Sequence, residues 1–178
     1  DSFIFTHIPK CGGSSFRKFI FEAGVNSGID VNMMHVPGEG RVKSSLNIPN
    51  LSSSQLNQLK SKKLRIIADH SKHKVHQEYS LNLKRPFYFT MLREPVRRFI
   101  SHYNFFYYKL GYANCKGIEF SELPHDKKQH ILKILSNIQV SYISKPKKNS
   151  GNPNKNDLLR AIKILTSGFH CFGILEEV

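Results

Sequence analysis

No stretch of about 18 apolar residues interrupts the 178-residue chain, so no transmembrane span is expected, and no signal peptide is visible. Cysteine is scarce. Cys11, Cys115 and Cys171 form no CxxC pair and no metal-ligand spacing, which argues against a zinc module or a dithiol redox centre. The odd count points to reduced thiols and leaves a Cys115–Cys171 pairing open. No GxxxxGK[ST] string occurs, and no acidic Mg²⁺-binding motif stands out, which counts against a kinase or NTPase. Acidic residues are few, 13 against 27 lysines and arginines, for a formal net charge of +14. That imbalance predicts anionic partners: nucleotides, nucleic acid, anionic lipid or acidic polysaccharide. No recognised nucleic-acid motif accompanies the charge.

What is present reads as a folded α/β chain. Hydrophobic residues make up 39% and charged residues 22%, which fits a single domain over 1–178 with a real core. Both ends fall at predicted strands, so the domain is expected to be cut at its C-terminus and to begin at its own N-terminal edge, with anything upstream removed. Ser2–Ile8 reads as a strand, Pro9–Ser14 as a glycine turn, and Ser15–Ala23 as a helix capped by Ser14 and stopped by Gly24. Residues 25–50 are rich in turn formers and include the sequon Asn50-Leu51-Ser52, of a kind chance often produces. Ser52 and Gln55 have capping-box spacing and open a helix to about Lys62. Leu64–Ala68 and Pro86–Leu92 read as buried strands. A helix from Val96 to about Lys109 follows Pro95. Leu123–Tyr142 contains one long helix and Lys145–Lys155 a basic loop; Leu158–Leu165 is helical and Phe169–Leu175 a closing strand. Strands alternating with helices predict a mainly parallel sheet covered on both faces.

The segment His7–Phe16, HIPKCGGSSF, carries the clearest chemistry. A glycine turn between a strand and a helix aims backbone N–H groups at one point, where the helix terminus adds positive potential. Gly12 and Gly13 let the backbone approach an anion closely. Lys10 can add a full charge, and Ser14 and Ser15 can donate hydroxyls. Here the lysine precedes the glycines, the reverse of the Walker A order. A lone Gly-Gly turn is more often an ordinary tight turn, so the neighbouring residues decide its meaning.

The whole string resembles the 5′-phosphosulfate loop of the carbohydrate sulfotransferases that modify heparan and related glycans, and of their bacterial relatives. Thr90–Tyr103, TMLREPVRRFISHY, is similar to that family's 3′-phosphate motif, LRDPVxRxxSxY. Ser136–Ile143, SNIQVSYI, is a weaker match to its N-x-Q-x-R-x-L pattern. Asp157–Glu176 resembles its closing helix and strand, which end in G-[IL]-x-E. The resemblance spans nearly the whole chain in the family's order. It implies a P-loop-like, three-layer fold and an O-sulfotransferase using PAPS (3′-phosphoadenosine 5′-phosphosulfate), with PAP as product and no metal. It implies an acceptor hydroxyl, on a glycan and compatible with an acidic one. It also implies a cytoplasmic setting for a bacterial source, or the Golgi lumen, with an upstream anchor removed, for a eukaryotic one. The sequence departs from the family at Glu94, where Asp is commoner, at Ser141, where Arg is frequent, and at Asp69, where Gly is usual.

Roles follow residue by residue. Lys10, with the N–H groups of Cys11, Gly12, Gly13, Ser14 and Ser15, would hold the phosphosulfate and stabilise the leaving group. Arg93, at a strand's C-terminal end, can grip a phosphate bidentately, and Ser101, two turns into the next helix, can donate to the same phosphate. Arg93 alone would more often be a salt-bridge partner. His70, directly after a strand, aligns with the family's base and is the expected proton acceptor, with His73 and His76 as alternatives. The three histidines lack a cysteine or carboxylate partner, so no metal is expected there. Asp69 reads as a turn cap, His7 as a strand–loop junction residue and His102 as a packing residue. Arg97 and Arg98, with the loop Lys145–Lys155, could guide an anionic acceptor, and Tyr103, Phe105, Phe106, Tyr107 and Tyr108 read as core and helix-packing residues. Thiol chemistry at Cys11 is the weaker reading. Three rivals remain in view: an NTPase-like protein, a non-catalytic polyanion binder, and a sulfotransferase that binds PAP without turnover.

Overall fold

The computed structural model describes residues 2–29, 31–33, 53–54, 57, 66–70, 75–78, 81, 83, 85–144 and 152–177. Five parallel strands form one sheet: β1 (Phe3–Thr6), β2 (Val31–Met33), β3 (Ile66–Asp69), β4 (Phe87–Leu92) and β5 (Cys171–Ile174), in the order β2-β3-β1-β4-β5. The expected strands appear as β1, β3, β4 and β5. Residues 31–33 were expected as turns and instead form β2, too short an element to show an alternation.

Strand side chains alternate between two buried faces. Phe5, Ile66 and Ala68 pack with Ile20 of α1 (Gly13–Asn26) on one side. Ile4, Ile67 and Tyr88 pack on the other with Ile143 of α5 (Ile138–Ser144) and Ala161 of α6 (Lys155–Gly168). Helices therefore flank a wholly parallel sheet, which is the expected α/β architecture. Phe5 is fully buried between Phe16 and Phe89, with both ring centroids at 5.1 Å. Burying such a side chain contributes about 1.5–3 kcal/mol.

Helix boundaries depart from expectation in three places. α1 begins at Gly13, with Gly12 (φ 73°) as its cap, and not at Ser15 behind Ser14. It runs through Gly24, which is buried against the core, and ends near Gly28 (φ 63°), where the left-handed turn is made. Between α2 (Val75–Glu78) and α4 (His125–Leu135) lies α3 (Pro95–His102), which continues into a π-helical turn, Tyr103–Lys109. The expected single helix over Leu123–Tyr142 is two, α4 and α5, because Asn137 adopts φ 53°. Asparagine tolerates that left-handed conformation better than most residues. The Ser136 hydroxyl meanwhile donates back to the Leu132 carbonyl.

A third cluster lies beneath the π-helical turn. Tyr103, Tyr107 and Cys115 pack there with Leu123, Ile131 and Leu135. The helix expected over Ser52–Lys62 and the basic loop Lys145–Lys155 lie largely outside the described residues, as do His35, His73 and the sequon at Asn50.

Candidate active site

In an open parallel sheet, ligands bind beyond the carboxyl ends of strands, where successive connections diverge. β1 is that point here. Its connection runs through α1 to the β2–β3 side, whereas β4 leads through α3 to α6 towards β5 on the other. A cleft of about 190 Å³ opens beyond the ends of β1 and β4, lined by His7, Lys10, Gly12, Gly13, Ser14, Ser15, Arg93, Ser101 and Leu175. The two sequence motifs, some eighty residues apart, thus meet in one concavity.

The loop geometry is specific. Lys10 (φ 66°) and Gly12 (φ 73°) both take left-handed backbone conformations, and the Cys11 N–H donates to the Ile8 carbonyl at 3.3 Å. No described side chain caps α1, so its first-turn N–H groups are left to serve the cleft. A Cβ at Gly13 would lie 2.0 Å from His7 Cδ2, so the glycine is where the imidazole packs against the start of the helix.

Cys11, expected in the loop set, sits on the inner side of the loop. Its N–H donates within the turn, its side chain is fully buried and does not line the cleft, and its thiol donates to Gln139 Oε1 at 3.4 Å. Burial pushes that thiol up to about 12, against the pull of Arg98 and Arg93, so it is protonated at neutral pH and is no nucleophile.

The cleft is cationic. Lys10 lies over the Phe105 ring, 4.2 Å from its centroid. Its pKa is lowered by burial first and then by the Arg93 charge. Arg93 sits one residue past β4, with Nε 3.1 Å from Glu176 Oε1 and Nη1 3.4 Å from the Lys10 carbonyl. The salt bridge and the cleft position therefore coexist. Glu176 also accepts from the Glu94 N–H at 3.1 Å, and Glu94 caps α3 by accepting from the N–H groups of Val96 and Arg97. Glu94 thus performs the capping that an aspartate could perform.

The histidines separate into different roles. His70 Nδ1 lies 2.8 Å from the His7 carbonyl, and its ring stacks on the His7 ring at 4.1 Å. A carbonyl can only accept, so Nδ1 of the neutral ring carries the hydrogen and Nε2 the lone pair. His70 is thus one imidazole away from the cleft that His7 lines. His7 is lowered to about 2, by burial first, then by His70, Arg17 and Lys10, and stays neutral at physiological pH. Arg17 Nη1 lies 3.4 Å from its Nδ1, which places the His7 hydrogen on Nε2. His76 Nδ1 is instead 2.7 Å from the Tyr88 hydroxyl. His102 packs against Phe106, as expected.

Two expectations about the following helix need correction. Arg98 is only 3% exposed and donates to the Leu135 carbonyl at 2.6 Å, so it holds α3 to α4 and cannot guide an acceptor. Phe105 and Tyr108 were expected among the core and helix-packing residues but are 39% and 38% exposed, and Phe105 supports Lys10. Sequence reasoning placed His7 only at the strand–loop junction and gave no role to Gln139 or Glu176. The last two lie inside the weaker motif matches, which was the available signal. Ser141, at the family's arginine position, lies in α5 and is not among the residues lining the cleft. Among the described residues no cluster of His, Cys, Asp and Glu could hold a metal ion, and no helix is long and apolar enough to cross a membrane.

A parallel α/β sheet with a lysine, an arginine and an uncapped helix start gathered at its switch point defines an anion-handling α/β protein. The family model described as the sulfotransferase family matches residues 1–170, and the chain belongs to that family. It is accordingly an enzyme of sulfuryl transfer, with a sulfate donor and a hydroxyl acceptor. A search of curated proteins returned no match.

Proposed function

We propose that the chain is a PAPS-dependent O-sulfotransferase acting on a carbohydrate hydroxyl. The observation that carries this reading is the single cleft in which the Lys10–Ser15 loop meets Arg93 and Ser101. The residues fit such a donor: Gly12 and Gly13 let Leu175 and His7 pack close against the loop, and the charged side chains that line the cleft are cations. The donor would supply the sulfuryl group, whose bond to the phosphate oxygen breaks as the acceptor oxygen bonds to sulfur. Lys10 and the N–H groups of Gly12 to Ser15 hold the 5′ end and stabilise charge on the departing phosphate. Arg93 and Ser101 hold the 3′-phosphate. His70 takes the acceptor's proton on Nε2, its tautomer set by the His7 carbonyl. His7, neutral and bearing its hydrogen on Nε2, adds a hydrogen-bond donor at the cleft wall. The positive charge of the chain suits an acidic glycan.

Calorimetric titration with PAP, ATP and AMP tests the donor assignment. Tight PAP binding with little AMP binding is expected, since only PAP carries the 3′-phosphate. Equal binding of PAP and AMP would refute the 3′ site, and preferential ATP binding would favour an NTPase-like protein.

A further inference from the structure

Arg93 stands where the β4 ladder has ended, because the last register pair is Leu92 with Ile174. Its main chain is nonetheless held on both sides. Gln139 Oε1 accepts from the Arg93 N–H at 2.9 Å, and Gln139 Nε2 donates to the Arg93 carbonyl at 2.8 Å. One carboxamide thus does for Arg93 what a neighbouring strand does for the residues before it. The same Oε1 accepts the Cys11 thiol at 3.4 Å, tying the phosphate loop to the strand end. Gln139 reaches this place because Asn137 (φ 53°) breaks the helix and α5 restarts at Ile138.

We infer that Gln139 is a positioning residue that joins the two anion-binding segments of the cleft and thereby sets recognition of the donor's 3′-phosphate. This rests on the PAPS reading above. The chemistry is demanding. Arg93 N–H can only donate and its carbonyl can only accept, so the partner must carry one acceptor and one donor on a planar fork. An ionised glutamate has no donor, and methionine, of similar length, can supply neither bond at useful strength. The guanidinium is oriented separately by Glu176. Loss of Gln139 therefore leaves the arginine's ion pair intact while releasing its Cα from the loop.

The test uses the whole chain, with PAP and AMP titrated against wild type, Gln139→Met and Gln139→Glu. Wild-type preference for PAP over AMP checks the donor reading independently. Its absence would overturn that reading, and this inference with it, before any variant is considered. Given that preference, Gln139→Met should weaken PAP about tenfold, the effect of roughly one well-placed hydrogen bond to a binding group, and leave AMP affinity unchanged. In turnover the donor KM should rise more than kcat falls. An unchanged PAP-to-AMP ratio, or equal losses for both, would overturn the inference. Gln139→Glu supplies a readout that general damage would not move. Its carboxylate opposes the Arg93 carbonyl at neutral pH, but its protonated form regains a donor. PAP affinity relative to wild type should therefore recover as pH falls towards the carboxylate range. A pH-independent ratio between that variant and wild type would overturn the inference even where Gln139→Met fails to fold.

Discussion

Gly13→Ala is the sharpest single perturbation of the cleft. The added Cβ would lie 2.0 Å from His7 Cδ2, 2.4 Å from Nε2 and 2.9 Å from Cγ. Carbon atoms pack at about 3.5–4.0 Å, so one partner must move by about 1.5 Å. The imidazole has little room to yield. It is buried, stacked on His70 at 4.1 Å and on Phe5 at 5.9 Å, with Arg17 at its Nδ1. The start of α1 must shift instead, carrying with it the first-turn N–H groups proposed to hold the donor. Overpacking of this kind costs about 1–3 kcal/mol. For a chain of this size each kcal/mol lowers the melting temperature by about 2–4 °C. Displacing the phosphate cradle by about 1 Å should lower transfer by about 10²-fold. Thermal melts and initial rates of sulfuryl transfer read both effects. Adding His7→Ala removes the obstructing ring, so the double variant should be less destabilised than the two single effects summed, by more than about 0.5 kcal/mol. A Gly13→Ala protein with wild-type melting and wild-type turnover would refute the contact between His7 and the helix start.

The remaining predictions concern acid stability and the division of labour in the cleft. His7 is held at about 2 in the fold, against an ordinary histidine value of 6.5, so the unfolded chain binds the extra proton between these values. Its contribution to stability is complete above pH 6.5 and is lost as pH falls, at up to about 1.4 kcal/mol per pH unit. His102, lowered to about 4, acts in the same direction over a narrower window. Urea midpoints measured from pH 7 to 5 should therefore fall less steeply for His7→Gln than for wild type, and parallel slopes would contradict the assignment. Lys10→Ala should weaken PAP binding and cut transfer together. His70→Ala should lower kcat by about 10²–10⁴ while leaving PAP affinity in place, and a fully active His70→Ala enzyme would remove its role as base.

The front of the molecule was legible because its signals are local. A run of β-formers, a proline, two glycines and a helix former can only be strand, turn and helix in that order, and β1 and α1 follow. The error at its cap has a physical origin. Ser14 is a good N-cap by type, but Gly12 in the left-handed conformation turns the chain two residues earlier, leaving both serines in the first helical turn. The long helix expected over Leu123–Tyr142 broke for a comparable reason. Ser136 bonds back to the Leu132 carbonyl, Asn137 takes the left-handed conformation and donates to the Pro153 carbonyl, and apolar periodicity on either side conceals the break. Arg98 was misread because basic composition says nothing about orientation. Its guanidinium points inward to the Leu135 carbonyl, while its neighbour Arg97 is exposed.

The cleft itself could be named from motifs, but the reason it works lies in tertiary placement. Lys10 and Arg93 carry like charges close enough for Arg93 to help lower the Lys10 pKa. Lys10 also adopts a left-handed backbone that disfavours a residue with a Cβ, at a cost of about 1–2 kcal/mol. Neither condition would survive in an isolated loop. Both are imposed from outside it: the Cys11 N–H closes the turn on Ile8, Arg93 Nη1 donates to the Lys10 carbonyl, and Phe105 supports the ammonium from the π-helical turn. Glu176 fixes the arginine from one side and Gln139 its main chain from the other. A dianionic ligand entering this cleft relieves the repulsion between two cations already in place, so binding requires little reorganisation of either. On the proposed reading, the same arrangement would stabilise negative charge growing on the leaving group, because the fold has brought the cations together before the ligand arrives.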